Sequence, residues 1–142
     1  MKSKAPLALI EQLVMLLVFA LAAALCLRGF VWAELRSQRM EARTHAVTLV
    51  QSAAETIRHS KSLSIAAQRL GGAYEQELLQ LSYDQDWQPV SGEGAYHLTA
   101  QEIPPETTGL QAAQVELKTS GDQPEVLFAL KIAWQEEVQA DG

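Results

Sequence analysis

The chain has little of what staples or catalyses. One cysteine, Cys26, occurs in 142 residues. It lies inside an apolar run, so the polar remainder has neither a disulfide nor a thiolate metal site. There the thiol reads as a small buried apolar side chain. Leu25 stands just before it, where a bacterial lipobox needs a small residue, and this argues against lipidation. No basic stripe with interleaved aromatics is present, and the net charge is −6. Both features argue against nucleic-acid binding by this chain alone. Glycine-rich phosphate loops, nucleophile elbows and paired carboxylates in a cleft-forming context are also absent. His45 and His59 lie 14 residues apart, about 21 Å along a helix and too far to share a metal. His97 is remote from both. Asp84 and Asp86 share the polar face of a strand in this reading, without the density of acidic loop residues that a hard cation wants. The expectation is a non-enzymatic protein with no catalytic, cofactor-binding or metal-ligating residues and no cofactor.

Charge is scarcest between residues 7 and 32, where Glu11 and Arg28 are the only ionisable groups apart from Cys26. The 26 residues of this run are enough for a tilted helix to cross a hydrocarbon core of roughly 30 Å. Glu11 is the oddity within it. A carboxylate at the bilayer centre costs on the order of 2.5–3.5 kcal/mol on insertion scales. Four residues into the run, Glu11 sits only about 6 Å deep, within reach of the interface by snorkelling. Trp32 closes the run where an interfacial aromatic anchor belongs. A secretory signal is the competing reading, since Met1-Lys2-Ser3-Lys4 is basic and alanine triplets follow at residues 20–24. Glu11 and Gln12 interrupt its apolar core, and the run continues well beyond the triplets, so the segment is read as a retained span. Lys2 and Lys4 flank one end and Arg28, Arg36, Arg39 and Arg43 the other, and this count leaves the orientation open.

Proline and glycine are missing from residue 33 to about residue 61, and strong helix formers dominate. The spacing predicts a continuation of the helix, with Arg43, Ala46, Val47, Val50, Ala53, Ala54 and Ile57 on one face. Arg36, Arg39 and Arg43 with Glu41 read as a solvated face beside the membrane. A short second helix follows through Leu63, Ala66, Ala67 and Leu70, ended by Gly71-Gly72 as a left-handed cap.

Beyond Gly72 the period becomes two. The first strand carries Leu79, Leu81, Tyr83 and Trp87 on its apolar face, and residues 89–94 form a turn or loop. Further strands carry Tyr96, Leu98 and Ala100, then Ala113, Val115 and Leu117, then Val126, Phe128, Leu130, Ile132 and Trp134. The last is apolar on both faces and is placed centrally. The predicted fold is α+β: a long N-terminal helix, membrane-spanning and then amphipathic, packed on a four-stranded antiparallel meander. The parts are a basic leader at 1–6, a transmembrane helix at 7–32, the helical extension and second helix at 33–72, and the sheet at 73–142.

Leu9-Ile10-Glu11 within Leu7-Ala8-Leu9-Ile10-Glu11 matches the last three positions of the Phe-Thr-Leu-Ile-Glu motif of prepilins. With the basic leader, the amphipathic extension and the meander, the chain resembles type IV pilins and pseudopilins. The resemblance implies a structural or assembly component of a type IV pilus, a type II secretion system or a competence pseudopilus. It would be a single-pass protein of the bacterial cytoplasmic membrane with its sheet outside. Its partners would be membrane lipid and other pilin-like subunits or secretion-assembly proteins. By position, Leu7 would be the new N-terminus after peptidase cleavage, and Glu11 would set register by meeting the amine of a neighbouring subunit. Pro6 stands where the family has glycine, and Leu7 where it has phenylalanine. An uncleaved relative would be a single-pass membrane scaffold that binds a partner through the amphipathic helix.

Overall fold

The computed structural model describes residues 4–136. Helix α1 runs without interruption over Ala5–Ser60. Pro6 falls in its first turn, where a missing N–H costs no intrahelical bond. The helix ends because Lys61 turns left-handed at φ 51°, while its N–H still reaches the Ile57 carbonyl at 2.8 Å. Helix α2 covers Leu63–Leu70. Gly71 adopts the left-handed conformation after it, and Gly72 N–H closes back on the Ala67 carbonyl at 2.9 Å. This is the double-bonded end that a glycine pair favours.

The sheet has six strands rather than the four expected: β1 (Ala73–Glu75), β2 (Leu78–Tyr83), β3 (Pro89–Val90), β4 (Tyr96–Ile103), β5 (Leu110–Thr119) and β6 (Val126–Gln135). All pairings are antiparallel, in the order β1-β2-β4-β5-β6 with β3 also on β2. The four longer strands are the expected meander. Strand β1 escapes the sequence pattern because its hairpin turn, Gln76-Glu77, holds two positive φ angles without glycine or asparagine. Strand β3 corrects the loop expected at 89–94: Pro89 pairs with Tyr83 and Val90 with Ser82.

Trp87 is not on a strand face. It sits in the turn after β2 with φ 62°, and its N–H bonds to the Asp84 carbonyl at 3.1 Å. Asp84 and Asp86 share no strand face either. Asp84 Oδ1 accepts the backbone N–H groups of Asp86 and Gln88, each at 2.9 Å, and so shapes the turn. Strand β6 lies at an edge of the sheet, not at its centre. Its second apolar face stays open: Ala129 and Ala133 are exposed, with Lys131 between them.

By internal contacts the chain divides into two compact units, between Glu41 and Ala42. In the second unit one apolar cluster joins Ala46, Val50, Ala53, Ala54 and Ile57 of α1 and Leu63, Ala66 and Ala67 of α2 to inward residues of β2, β4, β5 and β6. Alanines on the helix permit close helix-on-sheet contact. Arg43, expected on the buried face, is exposed, and Val47 is half-buried. The buried arc therefore begins at Ala46.

Candidate assembly helix

The first unit is α1 up to Glu41, and every described residue in it is exposed. This stretch is long and apolar enough to cross a membrane. Over residues 7–32, leucine, valine and phenylalanine side chains occupy all sides of the helix, so this part has no polar face to offer water. Cys26 is exposed here as well, correcting the expectation of burial among other side chains. Leu7 is 70% exposed. Glu11 follows it by one helical turn on the same side. Among the described residues Glu11 has no hydrogen-bond or ion-pair partner.

At the other end of the run, Trp32 is 66% exposed, and the Arg36 guanidinium lies over its ring at 5.5 Å. A cation on the indole face is an attractive contact. Trp32, Leu35, Arg36 and Arg39 line a shallow groove of about 340 Å³. The four residues named from sequence thus sit on one helix, with Pro6, Leu7 and Glu11 near one end of the apolar stretch and Trp32 near the other.

The second unit holds an arrangement the sequence did not suggest. The His45 ring of α1 stacks on Trp87 at 5.1 Å between centroids and 14° between planes. Trp87 in turn stacks on Tyr96 of β4 at 3.9 Å and 12°. The left-handed turn at Trp87 therefore inserts an indole between helix and sheet. His97 Nδ1 lies 3.0 Å from the Ser82 hydroxyl, and His59 lines a groove of about 710 Å³ with Glu55, Arg58, Leu110, Trp134 and Gln135. Trp134 Nε1 donates to Gln111 Oε1 at 3.0 Å, so this buried tryptophan has its polar edge satisfied. Burial pushes the Tyr83 phenol above its ordinary value of 10.0. Among the described residues no three histidine, cysteine, aspartate or glutamate side chains converge as metal ligands.

The chain matches no known protein family, no curated protein and no solved structure. The likeness to pilins therefore rests on the residues and architecture described above.

Proposed function

We propose that this chain is a pilin-like, non-enzymatic component of a type IV pilus, type II secretion or competence assembly. It is held in the bacterial cytoplasmic membrane by the first part of α1, with its sheet unit outside. The observation that carries this reading is Glu11: a carboxylate without a partner among the described residues, in a helical stretch otherwise suited to lipid. An ammonium group supplied by a neighbouring subunit compensates such a charge in low dielectric, and the pairing fixes subunit register. Trp32 anchors the span at the interface, and lipid and other pilin-like subunits are the partners. Cleavage before Leu7 supplies the amine.

Incorporation of Glu11→Ala and Glu11→Gln chains into filaments or membrane complexes tests the role of the carboxylate. At least a tenfold loss is expected for both, with the sheet unit still folded; normal incorporation would sink the assignment. Mass spectrometry of the mature terminus, where a methylated Leu7 is expected, tests the processing. Pro6 within the first helical turn favours a second reading, an uncleaved single-pass scaffold that binds a partner through its amphipathic helix. An intact Met1 decides for that reading.

A further inference from the structure

The charges near and beyond the end of the apolar run are segregated around α1. At about 100° per residue, Arg28, Trp32, Arg36 and Arg39 fall within an arc of about 80°, while Glu34 and Glu41 lie on the opposite side of the helix. Their spacing prevents neutralisation within the helix. No arginine stands three or four residues from Glu34 or Glu41, the separations at which helical side chains meet. Glu34 instead accepts a hydrogen bond from Gln38 Nε2 at 3.4 Å, and Arg36 leans on Trp32. Among the described residues none of these five charges has an ion-pair partner. One side of the helix is left cationic, with the groove between Trp32 and Arg39 on it, and the other anionic.

We propose that these two sides are complementary halves of one interface, and that a second copy of this chain is the occupant. The arginine side of one α1 packs on the glutamate side of the next. This rests on the reading above, that copies share one membrane orientation and assemble through α1, because that orientation makes neighbouring helices parallel. A parallel neighbour shifted by five to six residues, roughly 8 Å, brings Arg28 opposite Glu34 and Arg36 opposite Glu41. Arg39 is the third cation near the same carboxylates. Ala20 and Ala23 lie towards the glutamate side, where small residues let helix backbones approach. Such an interface joins two different surfaces of the same molecule, so each added copy exposes a fresh face and the array stays open. The charges select register and partner, and apolar packing supplies most of the affinity.

The test uses two differently tagged full-length copies in membranes, each with Cys26→Ser. One carries Leu25→Cys on the arginine side and the other Phe30→Cys on the glutamate side. Oxidation is expected to join 25 to 30 at least tenfold more than Leu25→Cys to Ala23→Cys, which lies on the glutamate side but out of register. Arg28→Glu, Arg36→Glu and Arg39→Glu in the first copy should abolish the 25–30 bond. Glu34→Arg and Glu41→Arg in the second should restore it. A bond indifferent to charge reversal overturns the proposal. So does a loss that the reversed partner fails to restore and that follows the phosphatidylglycerol content of reconstituted vesicles, which would make the arginine side a lipid headgroup site. Bonds elsewhere along α1 without 25–30 overturn the charged interface alone. Absence of bonds between copies at every position of α1 defeats the assembly reading as well.

Discussion

Residues 7–32 and 46–57 of α1 share one helical backbone and differ in how apolar side chains are arranged around it. In the first stretch they occupy every side, and none is buried against the protein. In the second they recur at Ala46, Val50, Ala53, Ala54 and Ile57, each no more than 3% exposed. Hydrophobic content alone would have placed the first stretch in the core. The width of the apolar arc decides instead: an all-round arc suits lipid or neighbouring helices, and a narrow one suits a single sheet. The two stretches should therefore respond oppositely to the same substitution.

The largest contrast is expected from a carboxylate placed on each. Val50→Asp puts a charge where no solvent reaches, and should remove about 4 kcal/mol or more of the second unit's stability. Leu17→Asp should leave that unit's unfolding midpoint unchanged, yet sharply reduce membrane integration. Urea unfolding of the full chain in detergent micelles, followed by tryptophan fluorescence, reads the first effect; carbonate extraction of membranes reads the second. Equal unfolding by both substitutions would erase the distinction between the stretches.

A middle-sized effect should come from the ring stack, which ties the second stretch to the sheet beside the apolar stripe. Trp87→Ala removes both ring contacts and is expected to cost about 2 kcal/mol, with loss of the near-ultraviolet circular dichroism that stacked rings produce. Trp87→Phe should recover more than half of that stability. If Trp87→Ala unfolds at the wild-type midpoint, Ala46 to Ile57 alone hold helix to sheet.

Much of this architecture was legible because its signals are local. The absence of proline and glycine after Trp32 announces the long helix, Gly71-Gly72 announces the end of the short helix that follows it, and alternation at Leu98–Ala100 and Ala113–Leu117 sets the inward face. What escaped depends on distance in sequence or on unusual backbone. Gln76-Glu77 and Trp87 take left-handed angles that their residue types do not advertise, which hid β1 and misplaced the tryptophan. Strand β6 looked central because Leu127, Ala129 and Ala133 mimic a second buried face; the sheet ends there, and only pairing could reveal it. Glu11 was legible as a cost, because the sequence alone shows a carboxylate inside an apolar run. The opposition of arginine and glutamate sides was written in the spacing all along, but it requires one unbroken helix to become a geometry.

The smallest effect concerns the stretch that is buried, through the sheet residue Tyr83. Tyr83 is 9% exposed, and burial raises the folded-state pKa of its phenol above the ordinary 10.0. The unfolded chain therefore ionises first as pH rises. Below about pH 10 both states keep the proton and stability is indifferent to this group; above it the unfolded state binds fewer protons, so stability falls until the folded phenol also ionises. Thermal unfolding between pH 9 and 12 should show this decline in wild type and a shallower one in Tyr83→Phe. Leu17→Ala, in the stretch outside the core, should follow the wild-type curve throughout. Coincident curves for wild type and Tyr83→Phe would mean that water reaches the phenol, and that the cluster under the helix is looser on the β2 side than its side-chain packing indicates.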